Sequence, residues 1–413
     1  MATVTDDQAP QALLMQLLDP ACRADPYPSY NRIRELGPLH LPESNLTVFS
    51  SFADCDEVLR HPSTRSDRTN STITQRQLEA ESGPRPRGPA SFLFLDPPDH
   101  TRLRRLVSKA FVPKVVKALE PDIAALVDGL LDDMEKAGAS GSVDVIADLA
   151  YPLPVAVICR LLGVPVEDEP KFSHASGLLA ASLDPFLALT GHTSDLFDEQ
   201  MKAGIWLNDY LRDLIDARRT APGADLMSAL IAVEESGDQL TEDEIVATCN
   251  LLLIAGHETT VNLIANATLA MLRHPSQWAR LGADASRVAA IIEETMRYDP
   301  PVQLVGRIAG EDMTIGDITI PAGDTMLLLL AAAHRDPAAN ERPEEFDPAR
   351  ESIRHIGFGK GAHFCLGAPL ARLEASVALT AVTARFPNAR LAADPVYKAN
   401  LTLRGMSTLS VAI

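Results

Sequence analysis

Residues 357–369 read Gly-Phe-Gly-Lys-Gly-Ala-His-Phe-Cys-Leu-Gly-Ala-Pro. Glycines at 357, 359 and 361 leave the stretch free to take positive φ and to approach a flat ligand closely. Cys365 follows, and Leu370-Ala371-Arg372-Leu373-Glu374 opens a helical pattern with Pro369 suited to its first turn. The cysteine therefore stands at the mouth of a helix, where unbonded N–H groups and the positive dipole end favour a thiolate. One cysteine is too few for an iron–sulfur cluster or a structural zinc site and enough for an axial haem ligand. Two other readings stand beside this one. A free cysteine is usually a small buried hydrophobe. Gly357-x-Gly359-x-x-Ala362 also fits a dinucleotide fingerprint, which needs an apolar strand before it and a βαβ unit after it. Residues 350–355, Arg-Glu-Ser-Ile-Arg-His, are not such a strand, and little chain follows for a nucleotide-binding fold.

Three further constellations carry polar groups at helical spacing. His100 and Arg104 are four apart on a helix begun by Asp96-Pro97-Pro98-Asp99. Alone they read as a solvated polar face; with a haem they are aligned cations for its propionates. Leu251-Leu252-Leu253-Ile254-Ala255-Gly256 is apolar all round, so its helix is expected to be central and buried, yet His257, Glu258, Thr259 and Thr260 follow directly. A buried acid and alcohol need partners. Thr259 could simply bond its own helix carbonyl, whereas Gly256 removes bulk there and opens a notch beside the pair. Glu294 and Arg297 share a helix face, a commonplace surface pair or a buried one.

These motifs together resemble the cytochrome P450 family. Phe358-x-x-Gly361-x-x-x-Cys365-x-Gly367, continuing into Leu370-Ala371-Arg372-x-Glu374, is similar to its haem-binding loop, and Ala255-Gly256-x-Glu258-Thr259-Thr260 to its oxygen-activating segment. The matches run in family order from Asp96 to Glu374; Gly357 and His334 stand where other residues are more usual. The resemblance implies Cys365 as the metal ligand of haem b, with Phe358 packed beside the sulfur. It implies Ala255, Gly256, Gly359, His363 and Gly367 at the cofactor, and His100, Arg104 and Arg307 at its propionates. Thr259 and Glu258 become the catalytic pair that handles protons on the oxygen side. Glu294, Arg297 and a downstream Arg350 form a buried scaffold triad. The implied reaction inserts one atom of O2 into a C–H or C=C bond. NAD(P)H electrons arrive through a separate ferredoxin and ferredoxin reductase. The alternatives are a non-catalytic haem carrier or gas sensor, which needs no acid–alcohol pair, and a haem-free nucleotide-binding oxidoreductase.

The elements that must position these groups are mostly helical. The family implies an α+β fold, mainly α with small β-sheets, as one domain over residues 1–413 with a long central helix over the haem and a flexible stretch over 1–20. Thr241-Glu242-Asp243-Glu244 is a capping box, and from it a helix runs without proline to His274. Periodicity predicts helices over residues 30–36, 51–60, 115–136, 143–162, 167–183, 194–219, 287–298 and 366–385. Hairpins are expected over 39–49 and 313–321, strands over 303–307 and 391–413, and a strand or helical turn over 325–331. Residues 65–89 show no clear period, and a loop that long is usually functional. Residues 183–194 are a mostly apolar connection, equivalent to the family's mobile lid over the substrate.

Composition bounds the partners. The chain has 413 residues, 46% apolar, and a formal net charge of −19, which argues against nucleic acid or an anionic membrane as partner. Its five cysteines are scattered without C-x-x-C, as in a reducing cytoplasm. The acidic N-terminal stretch lacks the features of a signal peptide or anchor. The expected protein is a cytoplasmic monomer acting on a lipophilic small molecule, since most segments placed to shape the pocket are apolar.

Overall fold

Thr241 accepts a hydrogen bond from the Glu244 main chain while Glu244 reaches back to the Thr241 N–H, and this box opens a helix of 32 residues, Glu242–Arg273. Its second half is buried almost without a break from Thr260 to Leu272. A helix apolar on every face can be stable in water only if other elements surround it. Pro152–Leu162 and Ala368–Arg385 pack directly on it, and Phe197–Thr220 and Val288–Tyr298 complete the shell. The computed structural model describes residues 10–80, 90–138, 141–235 and 240–413.

A five-stranded sheet lies to one side, in the order Leu39–Leu41, Leu46–Phe49, Thr325–Leu328, Val305–Ala309, Thr64–Arg65. The first two strands form the expected hairpin, with Leu39 opposite Val48. Leu46–Phe49 runs parallel to Thr325–Leu328, which runs antiparallel to Val305–Ala309 and sets Arg307 opposite Met326. Met313–Ile315 and Ile318–Ile320 form the second expected hairpin. Both readings of residues 325–331 hold in succession, because the strand ends at Leu328 and the helix Leu330–His334 begins two residues later.

Four expectations need correction. Residues 143–162 are not one helix: Val143–Asp144 is a strand paired with Ser410–Ala412, Ile146–Ala150 is a turn of π-helix, and an α-helix starts at Pro152. Proline cannot donate the hydrogen bond that a continuous helix requires, so the helix restarts there. Residues 115–136 divide at Leu119 into Pro113–Ala118 and Glu120–Gly138, with Pro121 in the first turn of the second. The polar stretch after Arg65 contains a helix, Thr72–Ala80, before residues 81–89, which lie outside the described residues. Within the stretch expected to be flexible, Pro10–Gln16 is a helix whose Leu13 and Leu14, with Leu17 beyond it, are buried in a core beneath the sheet; residues 1–9 lie outside the described part. Among the described residues no helix is long and apolar enough to cross a membrane.

Candidate active site

The Cys365 loop is shaped by what surrounds it. Gly361 has φ +64, and a Cβ there would lie 2.6 Å from the Leu59 carbonyl, so no other residue fits without moving backbone. Gly359 has φ +71, and its own N–H bonds the Ile356 carbonyl. The Cys365 N–H donates to the Phe358 carbonyl at 2.7 Å, which folds the loop so that Phe358 and the cysteine are neighbours. Phe358 is buried, with the Arg372 guanidinium 4.4 Å over its ring. Gly367, just before the helix Ala368–Arg385, has nothing within 4 Å of where a Cβ would be. Burial pushes the Cys365 thiol above its usual range. Against it work a hydrogen bond from the Gly367 main chain, the charge of Arg104, a hydrogen bond from Ala368 and the charge of Arg372. The two main-chain hydrogen bonds are the ones a helix mouth supplies, and burial outweighs them and the two arginines together, so the expected preference for a thiolate is not met by the protein alone.

Four cationic or imidazole side chains converge beside this loop. Arg104 donates to the Phe364 carbonyl. His100, one turn earlier, lies against His363 with ring centroids 4.1 Å apart and the rings tilted by 37°. Arg307 donates to the Gly306 carbonyl at 2.8 Å. The cost of this crowding is legible in the ionisation. Burial, then Arg307, His100 and Arg104 in turn, depress His363 to about 3. Burial depresses Arg307 to about 10, with Asp96 working against the shift and Arg68 with it. Both ring nitrogens of His100 are buried without a hydrogen-bond partner. Buried polar atoms nearly always have partners, so this cluster fits an anionic group able to accept from several donors. Two carboxylates at the edge of a flat macrocycle would meet that need, with the Cys365 sulfur near by and the side-chain-free face of Gly367 beside it.

The central helix presents a second set. Its middle breaks the buried pattern at Leu251, Ile254, Ala255 and Thr259, which keep exposed surface. Leu251 and Ile254 border the same apolar core as Cys365 and Leu366. The Thr259 hydroxyl donates to the Ala255 carbonyl at 2.8 Å, the local bond open to any helical threonine. Glu258 is only 8% exposed, and its Oε2 lies 2.8 Å from Lys398 Nζ. Gly256 answers to packing as well as to any notch: a Cβ there would fall 2.8 Å from Ile158 Cδ1 on the neighbouring helix. His257 turns into the protein, its Nδ1 2.6 Å from the Leu253 carbonyl.

Behind the loop, adjacent carboxylates on Val288–Tyr298 hold two different segments. Glu294 accepts from Arg297 Nε at 2.7 Å and Nη2 at 2.8 Å, from Arg350 Nε at 3.0 Å and from the Asp347 N–H at 2.8 Å, so the foreseen triad is present and fully buried at its centre. Glu293 accepts from Arg372 Nε at 2.6 Å and lies 2.8 Å from His355 Nε2. Burial pushes Glu293 up, but the hydrogen bonds from His355 and Arg372 prevail and hold it at about 2. Sequence reasoning missed Glu293, Arg68 and Lys398. Glu293 sits one residue from a recognisable motif and pairs with a motif arginine, which is a usable signal. A lone lysine in a C-terminal loop carries none.

Residues 40–388 match the family model for cytochrome P450. The chain is 39% identical to the cytochrome P450 monooxygenase PikC of Streptomyces venezuelae, over 98% of this chain and 94% of that protein. It is also 39% identical to the vitamin D(3) 25-hydroxylase of Pseudonocardia autotrophica, over 94% and 93%. Its structure is similar to that of Mycobacterium smegmatis CYP164A2. The ligand-free form has a TM-score of 0.93 and 74% identity, and the econazole-bound form 0.94 and 76%, each covering 98% of this chain and 100% of the other. A helical fold with small sheets, a thiol in a glycine loop and relatives matched along nearly their whole length agree: the chain belongs to the cytochrome P450 family and is an oxidoreductase of its monooxygenase type.

Proposed function

We propose that this monooxygenase inserts one oxygen atom of O2 into a C–H or C=C bond of a lipophilic small molecule, with NAD(P)H electrons relayed by a separate ferredoxin and its reductase. The observation that carries the reading is the convergence of His100, Arg104, Arg307 and His363 on the Cys365 loop. A haem would find there both a sulfur ligand, Cys365, and partners for its carboxylates. When bound, haem b supplies the oxygen activation and the oxidising power.

The chain's own residues bind, orient and move protons. His100, Arg104, Arg307 and His363 would receive the propionates, whose negative charge would favour the charged forms of these groups. Phe358 and Arg372 shield the sulfur side from water. On the opposite side, Ala255 leaves room beside Thr259. With its proton donated to the Ala255 carbonyl, the Thr259 oxygen is an acceptor that orders water or a protonated group near it. Glu258 is the reservoir from which a proton is handed on. Leu251, Ala255, Val305 and Leu183 keep exposed apolar surface, which supports a lipophilic substrate; Leu304, next to Val305, is buried in the core beneath the sheet. The likeness to a vitamin D3 hydroxylase and to an econazole-bound structure points the same way.

The experiment is the Thr259→Ala variant assayed with a surrogate ferredoxin system. Product formed and hydrogen peroxide released are measured per NAD(P)H consumed. The reading predicts continued consumption with equivalents diverted to peroxide. Unchanged coupling would leave Thr259 as a helix-bonded bystander.

A further inference from the structure

Glu293 is the neighbour of the scaffold acid Glu294, and it joins two stretches of chain that the cysteine loop separates. His355 precedes the loop, and Arg372 follows it on the helix Ala368–Arg385. Arg372 donates to Glu293 from Nε at 2.6 Å and from Nη2 at 3.0 Å, a two-point grip that fixes the plane of the guanidinium. His355 Nδ1 accepts from the Gly357 N–H at 3.2 Å, so its proton is on Nε2, which donates to Glu293 at 2.8 Å. One carboxylate therefore ties the entry of the loop to its exit.

What this tie fixes in place is a charge beside the sulfur. The Arg372 guanidinium lies 4.4 Å over the Phe358 ring, and the Phe358 carbonyl accepts from the Cys365 N–H. Arg372 is one of two arginines whose charge acts on the Cys365 sulfur, the other being Arg104. The two differ in what balances them. Arg104 donates to a neutral group, the Phe364 carbonyl, whereas Arg372 is matched by the full charge of Glu293. Glu293 is ionised at neutral pH, because its two partners overcome the effect of burial.

We propose that Glu293 is a positioning residue for Arg372 and, through it, governs how strongly the Cys365 sulfur donates electron density to a haem. Held on Glu293, the guanidinium keeps its place over Phe358 while most of its charge is cancelled, so the sulfur keeps its electron density. Without the carboxylate, an uncompensated positive charge stands there and the sulfur donates less. Without the guanidinium, a negative charge stands there and the sulfur donates more. A nearby positive charge stabilises the reduced, electron-rich form. The inference rests on the reading of Cys365 as the haem ligand.

The test is the one-electron reduction potential of the haem-loaded protein, titrated at neutral pH without substrate. The proteins are the parent, Glu293→Gln, Arg372→Gln, Arg372→Lys and the Glu293→Gln/Arg372→Gln double variant. Reduced, CO-bound spectra establish the bond between haem and sulfur in each. Glu293→Gln keeps an acceptor for Arg372 and loses the charge. It is expected to favour the reduced form about ten-fold, which is about 59 mV upward for one electron. Arg372→Gln should shift the potential downward by a similar amount. Arg372→Lys keeps the charge without the two-point grip and should shift it less than half as far. The double variant, with both charges gone, should return to the parent value. Shifts of the same sign in Glu293→Gln and Arg372→Gln are what a merely loosened loop gives, and they would overturn the inference, as would parent-like potentials in both. Should Glu293→Gln hold too little haem to titrate, Arg372→Gln decides alone, and an unchanged or raised potential there overturns the inference. A parent without the red-shifted thiolate band would remove the reading of Cys365 beneath it, and the inference with it.

Discussion

Removing the Glu294 carboxylate perturbs the support of the cysteine loop most sharply. Glu294 and Arg297 are 0% exposed and the Arg350 side chain is 5% exposed. In Glu294→Ala two guanidiniums and the Asp347 N–H lose their shared acceptor. Arg297 keeps its bonds to the Pro343 and Glu345 carbonyls, and Arg350 keeps those to Arg342 and Glu345, but both lose their salt bridge, with only the charge of Asp347 left near Arg350. Breaking a buried pair from one side costs ~3–5 kcal/mol, about a fifth or more of a net stability of ~5–15 kcal/mol. Those carbonyls belong to residues 342–345, which lead into the cysteine loop, so haem retention should fall with stability. The assay is urea unfolding followed by fluorescence, with haem content read from the reduced, CO-bound spectrum. The expected result is a lower midpoint at an unchanged slope and little haem-loaded protein. Glu294→Gln, which keeps the shape and loses the charge, should fall between. Arg60→Ala, from the exposed Arg60–Asp56 pair, should cost below about 0.5 kcal/mol. A loss under about 1 kcal/mol in Glu294→Ala, with full haem occupancy, would refute the reasoning.

Gly361→Ala should lower stability by ~1–2 kcal/mol from its left-handed backbone alone, and by more once the Leu59 carbonyl is displaced; unfolding and haem titration check both, and parent-like values would mean the loop can move freely. Glu293 titrates at about 2 against an ordinary 4.5, so its pairing stabilises the fold fully above about pH 4.5 and is lost as pH falls toward 2. Glu293→Gln should therefore cost of order 1–2 kcal/mol at neutral pH, discounted for its partial exposure, and the difference from the parent should shrink to nothing at the acid end. Stability measured against pH decides this, and a constant difference would show that the charge is not what matters.

How much was legible in the sequence follows from how local each signal is. Thr241 and Glu244 are three residues apart, so the central helix and its start could be read directly. The cysteine loop was legible for the same reason: Gly361 and Cys365 are fixed by backbone conformation within a few residues. The triad could be foreseen because Glu294 and Arg297 share a turn and Arg350 sits in a recognisable run. The break at Pro152 was missed because the apolar run on both sides continued the helical pattern, while the strand Val143–Asp144 depends on a partner, Ser410–Ala412, more than 260 residues away. The helix Leu226–Glu235 was also missed. The ion pair between Glu258 and Lys398 spans 140 residues, and no periodicity encodes it. Gly256 shows a mixed outcome. Its smallness was noticed, but the neighbour that requires it, Ile158, lies on another helix.

The central claim is that Cys365 is the sulfur ligand of a haem held by this chain. The most direct measurement is the absorption spectrum of the reduced, CO-bound protein, recorded for the parent and for Cys365→Ser with helical content followed by circular dichroism. The account predicts a red-shifted thiolate Soret band in the parent, and its loss in Cys365→Ser with most helical structure retained. A Cys365→Ser protein that keeps the red-shifted band would contradict it.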